Sequence, residues 1–154
     1  MAASDIITNR KALRDYHILE RMEAGIALKG TEIKSIRAGR ANLNDAFARV
    51  ENGQVFLYGA NIQPWEKASH EQHDPTRPRR LLLHKNEIDH LFGATALEGR
   101  TLVALRMYWK DHLVKVELGV GKGKLSHDKR DDLKKKTEDR EARRVVASFN
   151  RRHA

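Results

Sequence analysis

Short runs with an apolar residue at every second position dominate the chain as far as Leu118. Tyr16 and Ile18, then Ile26 and Leu28, have this spacing, the period of a strand with one face buried. Residues 1–13 lack such a pattern and read as loosely ordered. Ala46 to Tyr58 reads as a hairpin: two β-rich runs flank Asn52-Gly53, a strong two-residue turn signal. Thr101–Trp109 and Leu113–Leu118 predict a second hairpin around Lys110-Asp111-His112. In it Val114, Val116 and Leu118 point one way, Lys115 and Glu117 the other. Leu81-Leu82-Leu83 is a short apolar strand at the end of a loop over residues 64–80, which holds Pro64, Pro75 and Pro78.

The period changes twice. In residues 30–39, Ile33 and Ile36 can share a helical face, and Gly39 is placed as its stop. Residues 85–97 predict a helix with Ile88, Leu91 and Phe92 on one face. About six short strands, two helices in the body and turn signals between them favour a small OB-fold-like Greek-key β-barrel. Residues 126–154 then break the pattern. Few apolar residues remain (Leu133, Val145, Val146 and Phe149 among them), with ten Lys and Arg against six Asp and Glu. An isolated helix with so little apolar surface is marginal in water. Two parts are expected: a barrel over residues 1–125, and a flexible basic tail over 126–154 that is disordered or frayed when free and helical when bound.

Charge sharpens this picture. The 154 residues carry a net charge of +9, which argues for a polyanionic partner. There is no cysteine, so disulfides, thiol catalysis and cysteine-based zinc sites are excluded. No apolar run approaches the ~20 residues of a membrane helix, and the start has no signal-peptide core; the expectation is a cytoplasmic protein with no membrane partner.

Gly121-Lys122-Gly123-Lys124 sets a flexible backbone beside positive charge, as phosphate contact requires. It is not a P-loop, because Leu118 and Leu125 occupy the positions that need Gly and Ser or Thr; the blander reading is a glycine-rich exit from the last strand. His70 and His73 have a metal-ligand spacing, but a zinc site wants three or four ligands in fixed geometry, and solvated loop histidines are the expectation, with no metal and no cofactor. His127-Asp128 could form a catalytic pair, but no nucleophile accompanies it, and the chain is read as non-enzymatic. The basic residues Lys34, Arg37, Arg40, Arg77, Arg79, Arg80, Lys115, Lys122 and Lys124 fall on several elements, a distribution suited to nucleic acid on a small barrel. Phe47, Phe56, Tyr58, Tyr108 and Trp109 are mostly assigned to the core, so backbone and shape recognition of structured RNA is expected over base stacking. A generic single-strand binder or ribosome-associated factor is the alternative.

Several motifs together resemble one family. They are Asn9-Arg10-Lys11-Ala12, the run from Glu23 to Gly39, Gly59-Ala60-Asn61-Ile62, Asp74-Pro75-Thr76-Arg77, Arg80-Leu81-Leu82-Leu83, and the segment from Gly121 to Lys134 with its His-Asp-Lys-Arg pattern. The chain resembles the tmRNA-binding protein family of trans-translation, also called small protein B or SsrA-binding protein, from about Asn9 to Lys136. The resemblance implies an OB-fold-like barrel that binds the tRNA-like domain of tmRNA and brings it to a stalled ribosome. It implies that the tail lies as a helix in the empty mRNA channel at the decoding centre. It also implies no enzymatic activity, and work through tmRNA with alanyl-tRNA synthetase and the GTP-bound elongation factor. The protein is expected to be monomeric.

By this resemblance Glu23, Leu82 and Lys115 are tmRNA contacts of the body. Gly30, Thr31, Lys34, Arg37, Arg80, Lys122, Gly123 and Lys124 complete the expected RNA-binding set. His127, Asp128, Lys129, Arg130 and Lys134 are the expected ribosomal tail residues. The chain departs from the family where Leu13-Arg14 replaces Arg-His, so no histidine contact is carried over there, and where Leu125-Ser126 replaces a more basic pair.

Overall fold

The computed structural model describes residues 4–65, 73–97 and 99–124; those up to Gly123 belong to one unit, Met1–Gly123. Nine strands and three helices are formed by the described residues. In chain order they are β1 (Ser4–Thr8), α1 (Arg10–Asp15), β2 (Tyr16–Ile26), α2 (Gly30–Arg37), β3 (Ala41–Asn42), β4 (Phe47–Glu51), β5 (Gln54–Tyr58), β6 (Asn61–Ile62), β7 (Arg79–Leu82), α3 (Lys85–Thr95), β8 (Arg100–Lys110) and β9 (Leu113–Gly123).

Six strands close into a ring in the order β8-β4-β5-β7-β2-β9, with β9 returning to β8. All its ladders are antiparallel. The mainly β fold with six principal strands and helices follows the reading of the sequence. β1 adds to β8 along Arg106–Trp109, beyond the stretch of β8 that pairs with β4. β3 and β6 form a separate two-stranded ladder.

Alternation fills the ring. Ala48, Val55, Leu57, Leu81, Ala24, Val116, Leu118 and Met107 turn inward and are buried; Ile36 of α2 and Leu91 of α3 join the same core. Burying each valine, leucine, isoleucine or methionine of this set stabilises by roughly 1.5–3 kcal/mol. Both hairpin turns match expectation. Asn52 and Gly53 have φ of 49° and 75°, as a type I′ turn requires. Asp111 and His112 have φ of 50° and 67°, so the second turn uses left-handed conformations without glycine. Gly39, at φ 74°, follows α2 and donates its N–H to Ile36 O at 3.0 Å.

Several local expectations are corrected. Residues 1–13 are not loose over their described part: β1 pairs with β8, and Asn9 caps α1. Asn9 is buried, its amide donating to Leu43 O at 2.7 Å and Ala104 O at 2.9 Å while its side-chain oxygen accepts from Ala12 N at 3.0 Å. Long-range partners of this kind leave no local periodicity. Tyr16, Ile18 and Ile26 belong to one continuous strand that ends before Leu28, with a register shift between Ile18 and Glu20 that changes the side-chain alternation. Phe92 is 61% exposed rather than sharing the buried face of Leu91. The stretch Gly119–Gly123 is strand, paired to β2 and β8, and not a flexible loop. Gly119 and Gly121 serve close packing: a Cβ on Gly119 would lie 2.8 Å from Leu105, and one on Gly121 3.1 Å from Tyr16, whereas one on Gly123 would meet nothing within 4 Å.

Candidate nucleic-acid interface

Closure of the ring assembles residues that are far apart in the chain. Leu82 on β7 is opposite Gly25 on β2, and Gly25 is opposite Lys115 on β9. Lys115 is in turn opposite Tyr108 on β8. These four positions make one row on the outer face of the sheet. Glu23 is two residues from Gly25 and therefore on the same face. Leu82 is 51% exposed, and a Cβ at position 25 would meet Leu82 Cβ at 3.2 Å. Glycine at this point lets the leucine lie beside the strand.

Glu23 is held from two sides. Tyr108 Oη donates to Glu23 Oε2 in a very short hydrogen bond, and Lys110 Nζ lies 3.2 Å from Oε1 and 3.3 Å from Oε2. The bond from Tyr108 is the main cause that holds the Glu23 carboxyl below its usual range, with Lys110 and Lys115 adding to it against partial burial. Burial, then Glu23 itself, pushes the Tyr108 hydroxyl far up. The result is an ionised carboxylate fixed on a face of mixed charge, directly opposite Glu117 on β9. Arg21 and Arg106 extend the face, both paired with Glu117, at 2.8 and 3.3 Å.

A second arrangement positions α2. Glu32, in its first turn, is fully buried and takes four donors. Oε1 accepts from Lys29 N at 2.7 Å and Arg77 Nη2 at 2.6 Å; Oε2 accepts from Arg79 Nε at 2.5 Å and Arg77 Nε at 3.1 Å. Arg79 also donates to Ala60 O at 2.9 Å. Burial raises the Glu32 pKa, but Arg77, the Lys29 amide and Arg79 outweigh it and leave the group below its ordinary value. For Arg79, desolvation dominates and lowers the pKa despite Glu32. Arg77 and Arg79, which the sequence groups with the RNA-facing cations, are thus committed to the interior or its margin; Arg79 is 0% exposed.

The expected residues divide accordingly. Glu23, Leu82 and Lys115 come together, with Arg80 on the same outer face of β7. Gly30 opens α2 and is exposed. Thr31 instead faces inward chemistry: its hydroxyl is 2.8 Å from His73 Nδ1. His73 Nε2 donates to Ile62 O at 2.8 Å, which leaves Nδ1 to accept from Thr31. His73 is 4% exposed, so the solvated loop histidine expected there is a buried strut, and no cluster of metal-ligating side chains occurs among the described residues. Lys34 and Arg37 are exposed on α2, and the Arg37 guanidinium is 5.6 Å from the Trp109 ring centre, a ring packed against the core on the opposite face of β8 from Tyr108. Lys122 is exposed on β9 and opposite Arg100, a like-charged neighbour that sequence reading did not single out. Gly123 ends β9 and Lys124 follows it. His70, His127, Asp128, Lys129, Arg130 and Lys134 lie outside the described residues.

Aromatic placement departs from expectation. Phe47, Phe56 and Tyr58 alternate with the buried Ala48, Val55 and Leu57 and are half-buried on the outer face of β4 and β5. Tyr108, by contrast, is buried. No helix among the described residues is long and apolar enough to cross a membrane.

Comparison with known proteins places this geometry. The family described as SmpB protein matches residues 6–148. The SsrA-binding protein of Carboxydothermus hydrogenoformans is 54% identical over 141 residues, covering 92% of this chain and 95% of the relative. That of Geotalea uraniireducens is 51% identical over 151 residues, covering 98% and 100%. A solved chain from "tmRNA-SmpB: a journey to the center of the bacterial ribosome" is similar at TM-score 0.67 and 48% identity, over 78% of this chain and 85% of its own. With residues 6–148 matched by the family and relatives about half identical over more than nine-tenths of its length, the chain belongs to the SmpB protein family.

Proposed function

We propose that this protein binds the tRNA-like domain of a tmRNA and carries it to stalled ribosomes for trans-translation. Support comes from family membership, from relatives named for SsrA binding and from a structural neighbour described with tmRNA and the ribosome. The observation that carries the reading is the row Leu82–Gly25–Lys115 beside Glu23, formed by three strands. Lys115 and Arg80 supply charge against phosphate. Glu23, kept ionised by Tyr108 and Lys110, offers an acceptor to a base or ribose donor, while Lys110 offsets its repulsion of the backbone. Leu82 gives an apolar contact. Arg37, Lys34, Lys122, Gly123 and Lys124 extend the basic surface.

In this proposal the barrel over residues 1–125 holds one RNA and the tail over 126–154 tests another. The tail orders as a helix in the empty mRNA channel, with His127, Asp128, Lys129, Arg130 and Lys134 at the decoding centre. The protein acts as a cytoplasmic monomer, assigns itself no reaction, and works through tmRNA with alanyl-tRNA synthetase and the GTP-bound elongation factor.

The test is a competition titration at fixed salt between the tRNA-like domain and an unstructured RNA of equal length. The folded RNA is expected to win by at least about tenfold, and increasing salt to weaken binding steeply through counterion release. Equal affinities would overturn the reading and leave a general single-strand binder.

A further inference from the structure

The aromatic strip on β4 and β5 faces away from the core and is not used by the row around Glu23. Arg49 on β4 is opposite Phe56 on β5, and Phe56 is opposite Arg80 on β7. A ring therefore lies between two exposed arginines in one row. The next row pairs Phe47 with Tyr58, their rings stacked with centres 5.5 Å apart and planes 20° apart. The Arg49 guanidinium lies over both, 5.3 Å from the Phe47 centre and 5.6 Å from the Tyr58 centre. Glu51 is the carboxylate on this face, and it accepts from Tyr58 Oη at 2.7 Å. Three rings with two guanidinium groups thus form a cationic, partly apolar surface.

We infer that the outer face of β4, β5 and β7 is a stacking platform for an unpaired RNA base. Phe56 supplies the ring floor, and the Arg49 guanidinium, held beside the Phe47 and Tyr58 rings, supplies a second stacking plane. Arg80 and Arg49 face the flanking phosphates. Unpaired bases stack on aromatic rings and on arginine planes alike, and the arginines add charge complementarity to the polyanion. An acidic peptide would use the charge but not the rings. The platform shares Arg80 with the surface proposed for tmRNA, but its floor, Phe56, is not part of that surface, so the two readings are tested separately.

The probe is an RNA hairpin bearing a single bulged 2-aminopurine, whose fluorescence falls on stacking, set against the same hairpin with an abasic bulge. The full chain is expected to quench the fluorophore and to bind the base-bearing hairpin about tenfold more tightly than the abasic one. Phe56→Leu is expected to lose both the quenching and the affinity difference, while retaining the salt-dependent affinity for the abasic hairpin. Phe56→Tyr, which keeps the ring, is expected to retain them. No quenching at saturation, equal quenching by Phe56→Leu, or equal competition by a polyglutamate peptide overturns the inference. Each of these outcomes leaves the titration with the tRNA-like domain untouched.

Discussion

Glu32 shows how much one side chain can organise. Its buried carboxylate takes four donors from the start of α2, the segment before β7 and β7 itself. Glu32→Gln removes the charge that compensates the buried Arg79. Breaking a buried pair from one side costs about 3–5 kcal/mol, and urea unfolding should show a loss of this size. The pH dependence has a defined sign. The folded pKa of Glu32 lies below its ordinary value of 4.5, so the group's contribution is fully present above 4.5. It is lost as pH falls below 4.5 and through the folded value. Stability of the natural protein should therefore fall in that acid window, and the fall should be shallower in Glu32→Gln, as followed by circular dichroism.

At the scale of elements, the turns and junctions carry constraints that side-chain burial does not. Gly59 lies between β5 and β6 with φ 75°, and a Cβ there would come within 2.3 Å of Asp45 O. The obstacle is main chain, which cannot swing aside as a side chain can. Gly59→Ala is expected to destabilise by about 1–3 kcal/mol from backbone strain alone, with the overlap adding to it; a lowered denaturation midpoint checks this. Both hairpins were legible in the sequence because each is a local event of alternation and turn. β1, α1 and the start of β7 were not. β1 exists through its pairing with β8, and Arg79 enters β7 as a buried residue because Glu32, 47 residues away, neutralises it. No window along the chain contains that information.

At the scale of the molecule, the proposed division between an RNA-binding body and a ribosome-facing tail makes a paired prediction. Truncation after Ser126 should leave affinity for the tRNA-like domain within about threefold, since counterion release depends on the phosphates each part neutralises, while peptide tagging on stalled ribosomes is abolished. Lys115→Glu should do the reverse at the first step and weaken binding to the tRNA-like domain. Loss of that binding on truncation would contradict the division.

The sequence alone determined the mainly β class, the two hairpins, the extent of the α2 helix, the basic character and the family, because alternation, turn chemistry, charge and motifs are all local. It also named Glu23, Leu82 and Lys115 without saying why they belong together. The tertiary structure decided that: ring closure places β7, β2 and β9 side by side, so that register makes neighbours of residues as far apart as 23 and 115. It also decided which cations face outward and which do not. Arg79 and Arg80 are adjacent in sequence, but strand alternation sends one into the core with Glu32 and the other to the surface beside Phe56. The same alternation turns Phe47, Phe56 and Tyr58 outward, since a small ring has room inside for only one face of each strand.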